Sequence, residues 1–247
     1  MTATIQEKMK RHFWFTREEW QWFTFSCIAV GFFLAFRNWG SEGTPDIGYG
    51  LGITALTIAM VAVSLWAQLS FQRILSLVLG YKPVYEINFI VIMVSLMITV
   101  LTNGIIPPAL AGWQRYSDIP RYRLGKWPPM YNTIPIAWVN ASGLFLNLFL
   151  AVLGKIVSLG FQNTVLDKFI MVNLALAVFG ILPLPFNPGI HVLYGSILTF
   201  IVSAVIIFSA AFLIFFTNQI LLSILVPLIL SVIAATYFIW KSKTYKG

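Results

Sequence analysis

The sequence predicts an all-α polytopic membrane protein, with about six transmembrane helices and one re-entrant hairpin forming a single integral membrane domain over residues 1–247. Three observations carry this. First, 59% of the residues are hydrophobic and only 10% are charged, with a mean hydropathy of +0.84; an average soluble domain carries about 25% charged residues. Second, seven apolar runs of membrane-spanning or near-spanning length follow one another, and a crossing helix needs about 20 such residues. Third, the basic residues sort onto one face once a single run is folded back on itself.

The chain opens with a cytoplasmic amphipathic lead (1–19). At its end Thr16 is placed to cap a helix and Glu19, three residues on, to complete a capping box. Residues 20–36 form the first span, with Trp20, Trp22 and Trp39 as interfacial anchors. No small-residue cleavage pattern follows it at Ala35-Phe36-Arg37, so this run is expected to stay as a span rather than act as a leader. A Gly/Pro/acidic loop leads to span 51–79, whose head carries a GxxxG pair, Gly48 and Gly52, that predicts close helix packing. Residues 87–112 are apolar but break at Asn103-Gly104 and Pro107-Pro108. The remaining spans are 134–154, 169–182, 192–216 and 220–240, with a break at Pro183 to Gly189 and a basic tail at 241–247.

The positive-inside rule decides how residues 87–112 run. If all seven runs cross, the sixteen basic residues divide eight and eight. If 87–112 enters and leaves by one face, thirteen lie inside and only Arg37, Lys155 and Lys168 lie outside. The prediction is therefore a re-entrant hairpin at 87–112, both termini cytoplasmic, and a multi-pass protein of the cell membrane. Non-helical backbone at membrane depth is tolerated where protein shields it.

Several function classes are excluded or disfavoured by counting. Cys27 is the only cysteine, which rules out an internal disulfide and any cysteine-based metal centre within the chain. His12 and His191 are the only histidines. The basic, aromatic stretch 113–131 reads as an interfacial loop touching anionic lipid headgroups, and no nucleic-acid partner is expected. Arg73 and Glu86, near helix ends, are expected to snorkel to the interface.

The polar residues inside apolar helices are the candidate site. Gln68 and Gln72 are one turn apart on one helix face. Their simplest role is hydrogen bonding between helices; the alternatives are a polar cavity for a peptide, lipid or ion, or a noncanonical metal site. Asn147, Asn173 and Asn187 are expected to satisfy backbone freed at the proline break, and His191 to be a hydrogen-bonded residue at a helix start. Ser142 with the distant His191 makes a weak serine–histidine pairing, which lacks the glycine of a GxSG motif.

The segment Asn173-Leu174-Ala175-Leu176-Ala177-Val178-Phe179-Gly180-Ile181-Leu182-Pro183-Leu184-Pro185-Phe186-Asn187-Pro188-Gly189 resembles the NxxLAxFNLxPxPPLDG signature of the site-2 protease family, the intramembrane zinc metalloproteases. Asn173, Ala177, Phe179, Pro183, Pro185 and Gly189 match at the right spacing. Ser142 to Leu148 is similar to the family's AGPLxNL helix through Gly143 and Asn147, and Phe15-Thr16-Arg17-Glu18 resembles the entry of short archaeal members. In such members a Gly-Tyr pair follows the HExxH helix, and here Gly80-Tyr81 sets the register. The resemblance then places the two histidine ligands at Gln68 and Gln72, the glutamate base at Leu69 and the aspartate ligand at Pro188.

Glutamine amides are neutral oxygen donors and leucine takes no proton, so these positions supply neither zinc ligands nor a base. No other HExxH occurs, and Asp46, Asp118 and Asp167 lie in loops or at a helix edge. The resemblance thus implies a catalytically inactive member, without metal or other cofactor, serving as a structural or regulatory subunit of a membrane complex. Its partners are expected to be other integral membrane proteins. Two rival classes are an unusual intramembrane metalloprotease that borrows ligands from a partner, and a small transporter or channel built on the broken helix at 183–189.

Overall fold

The computed structural model describes residues 5–39, 47–119, 133–161, 163–217 and 219–244. Helix α1 (Ile5–His12) lies in the lead. Thr16 then starts α2 (Arg17–Ala35) through the expected capping box: Thr16 Oγ1 accepts the Glu19 N–H, and Glu19 accepts the Thr16 N–H at 2.8 Å. A 3₁₀ turn, Phe36–Trp39, extends α2 and its indole donates to Thr54 at 2.9 Å. Helix α3 (Ile47–Leu79) has 33 residues and ends at Gly80, whose φ of 93° is open to glycine. At 1.5 Å per residue α3 is about 50 Å long, well beyond the hydrocarbon thickness of about 30 Å.

Strand β1 (Tyr81–Glu86) and strand β2 (Trp113–Asp118) pair antiparallel, with Tyr81 opposite Asp118 and Glu86 opposite Trp113. The 26 residues between them, 87–112, therefore leave and return at the same point of the molecule. They climb as α4 (Phe89–Leu101), capped by Asn88, and turn at Asn103 (φ 49°) and Gly104 (φ 71°). A Cβ on Gly104 would stand 2.9 Å from the Arg37 backbone nitrogen, so the tip of this hairpin rests against the far end of α2.

The second half is helical. α5 (Thr133–Gly160) leads to α6 (Thr164–Ile181), capped by Asn163. α7 (Pro188–Gly195) and α8 (Ile197–Phe216) follow, then α9 (Ile220–Thr244), with Pro227 in its interior. Among the described residues six helical stretches are long and apolar enough to cross a membrane: α2 with its 3₁₀ turn, α3, α5, α6, α8 and α9; α4 is apolar but shorter. The chain is an all-α polytopic membrane protein.

Two packed clusters hold it together. Phe23, Val30, Val61, Leu65 and Tyr85 join α2, α3 and β1, while Leu144, Ala177, Ile181, Val192 and Ile207 join α5 to α8. Between membrane helices the attraction is close packing rather than exclusion of water, and small residues set the approach. A Cβ on Gly31 would lie 2.8 Å from the Ile58 Cα.

The structure corrects several expectations. Gly52 has open space around its Cβ position, so it makes no close helix contact; Gly31 does so instead. Span 192–216 is interrupted because Ser196, extended at ψ 114°, caps α8 through the Thr199 N–H. The boundaries also move: α3 starts at Ile47, α5 runs to Gly160, α6 starts at Thr164, and α9 runs into the expected basic tail. Part of stretch 113–131 is strand β2; residues 120–132 lie outside the described residues. Arg73 does not snorkel: only 1% of its side chain is exposed. Glu86 instead meets Arg115 across the strands at 2.9 Å.

Candidate functional site

Gln68 and Gln72 both turn toward α5. The Gln68 Oε1 accepts from Asn147 Nδ2 at 2.7 Å, and Gln72 Nε2 donates to the Asn140 carbonyl at 3.2 Å. Gly143 lies between those two partners on α5, and a Cβ there would stand 2.2 Å from Gln72 Nε2. The glycine is thus what seats the amide. Asn140 continues the chain of contacts, since its Oδ1 accepts from the Tyr116 hydroxyl of β2 at 3.2 Å. Burial pushes the Tyr116 phenol up from its ordinary range, so it stays a neutral donor.

Asn187 and Pro188 reach the same place from the other half of the chain. Pro188 opens α7, a position where its missing N–H and fixed φ suit a helix start. The Asn187 side-chain Nδ2 donates to the carbonyls of Phe179 (2.8 Å), Gly180 (3.1 Å) and Leu182 (2.7 Å). Phe179 also accepts the Leu182 N–H and Leu182 the Leu184 N–H, so the carbonyl that depends on Asn187 where α6 breaks is that of Gly180. A Cβ on Gly189 would lie 2.3 Å from the Ile181 carbonyl oxygen, which fixes how closely α7 folds back on α6.

Gln68, Leu69, Gln72, Gln114, Asn187 and Pro188 line one cavity of about 10 Å³. That is room for about one water molecule. β2 forms its lid: Gln114 is buried, its Nε2 lies 3.5 Å from the Leu69 carbonyl, and its Oε1 has no partner among the described residues. The cavity is too small for a peptide segment or a lipid chain.

The other sequence-predicted residues divide. Asn147 joins the cluster through Gln68, and its Oδ1 is buried without a partner among the described residues. Asn173 does not reach the cavity; its Nδ2 turns back to the Phe169 carbonyl of its own helix at 2.9 Å. The shared backbone-satisfying role expected of the three asparagines therefore holds for Asn187 at the proline break, but not for Asn147. Among the described residues His191 Nε2 is buried and finds no hydrogen-bond partner. It stacks on Trp113 with ring centroids 5.0 Å apart and planes within 4°. Ser142 donates to the Val139 carbonyl of its own helix.

Beside Gln72 lies a second buried network that sequence reasoning missed. The Arg73 guanidinium pairs with Glu19, donates to the carbonyls of Phe13 (3.2 Å) and Trp14 (3.1 Å), and sits 4.1 Å from the centre of the Phe15 ring. Glu19 also accepts the Tyr85 N–H at 2.9 Å. The Tyr85 hydroxyl donates to the Ala111 carbonyl and lies 2.7 Å from Ser26 Oγ. One ion pair thus fastens the N-terminal lead, α2, α3 and the sheet. The available signal was Arg73, the one charge in an otherwise apolar helix, with Glu19 at the head of the preceding helix.

A zinc ion, which the sequence resemblance would bring, does not fit these residues. At its ligand positions stand two amides already engaged by α5 and a proline ring with no donor. Among the described residues no three His, Cys, Asp or Glu side chains come together. Comparison of the chain with protein-family models, curated proteins and solved structures finds no match.

Proposed function

We propose that the chain is a catalytically inactive relative of the site-2 proteases that serves as a structural or regulatory subunit of a membrane complex. One observation carries this reading. The four positions that the resemblance assigns to catalysis, Gln68, Leu69, Gln72 and Pro188, come from segments more than 100 residues apart, yet they line one cavity. Convergence of this kind is what the scaffold requires, and the residue types that converge are those that bind no zinc and take no proton. The closed amide cluster serves stability between helices instead.

We place the protein in the cell membrane with both termini cytoplasmic. The support is charge: Arg37 and Lys168 line one groove at one end, where Lys168 donates to Asn38 at 2.9 Å, while Arg73, Lys82 and Arg115 gather at the sheet end. Extraction from native membranes in mild detergent tests the function. The expected result is a stoichiometric integral membrane partner that co-purifies, with substoichiometric zinc after zinc loading and dialysis. One zinc per chain, together with cleavage of a transmembrane substrate that a zinc chelator abolishes, would overturn the reading.

A further inference from the structure

A groove of about 640 Å³ opens on the flank of the molecule where α6, α8, the end of α2 and the tip of the α4 hairpin meet. Small-molecule sites span roughly 300–1,000 Å³, so this is a recess of binding size. It is separate from the amide cavity and lies toward the end of the bundle opposite the sheet. Its walls are apolar and run out onto Phe212 and Phe215, which are 61% and 62% exposed. In a polytopic membrane protein such rings face acyl chains, so the groove opens to the bilayer.

Its mouth is of different chemistry. Arg37, Asn38 and Lys168 stand there together. The Lys168 ammonium donates to Asn38 Oδ1 at 2.9 Å, which fixes it in place with two N–H donors left over. Among the described residues no carboxylate lines the groove, and neither cation forms a salt bridge. Two of the three basic residues that the positive-inside count leaves on the sparse face therefore converge on one apolar recess.

The length also fits. From Lys168 at the mouth to Phe179 at the floor, α6 rises about 16 Å, roughly half the hydrocarbon thickness of a bilayer. That is the depth of one leaflet. We propose that the groove holds an acyl chain of a phospholipid with a net negative headgroup, whose phosphate is clasped by Arg37 and Lys168. The hairpin tip at Gly104 closes one side of the site, so the lipid would bridge the hairpin to α6 and α8.

Native mass spectrometry tests this on the full chain reconstituted in vesicles of equimolar phosphatidylglycerol and phosphatidylcholine, then released into mild detergent. One phosphatidylglycerol retained per chain, in preference to phosphatidylcholine, is expected. Arg37→Gln/Lys168→Gln should weaken that retention by roughly 25-fold, the loss of two headgroup charge contacts. Ala175→Phe, which fills the groove and leaves the mouth intact, should abolish it in a chain that keeps the helical circular-dichroism signal of the parent. Equal retention of the two lipids, or undiminished phosphatidylglycerol in the charge variant, overturns the proposal. So does displacement of the lipid by inorganic phosphate, which would make the mouth a site for the free anion.

Discussion

Removing one partner from the Glu19–Arg73 pair exposes what the network contributes. Arg73→Met leaves the Glu19 carboxylate buried with two backbone donors, the N–H groups of Thr16 and Tyr85. Glu19→Gln leaves a buried guanidinium with neutral acceptors alone, the Phe13 and Trp14 carbonyls and the new amide oxygen, beside the Phe15 ring. In either variant an uncompensated charge stays inside the protein, and breaking a buried pair in this way costs about 3–5 kcal/mol. The double variant leaves no charge behind, so it should be no less stable than the worse single variant. The coupling between the two sites then comes to at least about 3 kcal/mol. Denaturant unfolding in detergent micelles, followed by tryptophan fluorescence, measures all four corners of the cycle. Trypsin provides a local readout, because Lys8, Lys10 and Arg11 lie on α1. Arg73→Met releases the Phe13 and Trp14 carbonyls and should speed cleavage there before the bundle unfolds. Additive single effects, with the double variant losing about 6–10 kcal/mol, would refute the reasoning.

Three further outcomes are expected. Asn187→Ala should cost about 1–3 kcal/mol by orphaning the Gly180 carbonyl at the end of α6, and Asn187→Asp should cost more, since a carboxylate would face three carbonyl oxygens; thermal unfolding that ranks Asp level with Asn would contradict this. Gly143→Ala puts a methyl 2.2 Å from Gln72 Nε2, at a cost of about 1–3 kcal/mol, and Gln72→Ala in the same chain should relieve it, so two additive losses would count against the packing described. In a Cys27→Ser background, Ser117→Cys and Phe161→Cys should react with an impermeant thiol reagent from opposite sides of the membrane, the first from the cytoplasm; labelling from a single side would exclude the proposed topology.

Much of the fold was legible in the sequence because its signals are local. Hydropathy marked the spans, Thr16 and Glu19 marked the start of α2, and Asn103-Gly104 marked the turn of the hairpin. What escaped depends on distance along the chain. Glu19 reads as a capping residue, and nothing nearby announces that its other oxygen serves Arg73, 54 residues on. β1 was invisible because Pro83 interrupts it, and proline in a strand ordinarily argues against one. β2 carried the basic, aromatic composition of an interfacial loop, which hid Gln114 as the lid over Gln68 and Gln72 and Tyr116 as the donor to Asn140. The Gly195-Ser196 step inside an apolar run did carry a capping signal, outweighed there by continuous hydropathy. The candidate site was legible in its members Gln68, Gln72, Asn147 and Asn187, and illegible in how tightly α5 and β2 close it.

The antiparallel pairing of β1 with β2 also bears on how such a chain is put into a membrane. Between Ile87 and Gly112 there is no charged residue, whereas the flanking strands carry Lys82, Glu86, Arg115 and Asp118. Moving one Lys, Arg or Asp to mid-bilayer costs about 2.5–3.5 kcal/mol during insertion. Because both stems stay at one surface, α4 can slip between already inserted helices and be withdrawn again without carrying any of those charges through the hydrocarbon. The pairing thus leaves open a route by which the hairpin enters from one side after the other helices have crossed, with no charge carried through the hydrocarbon.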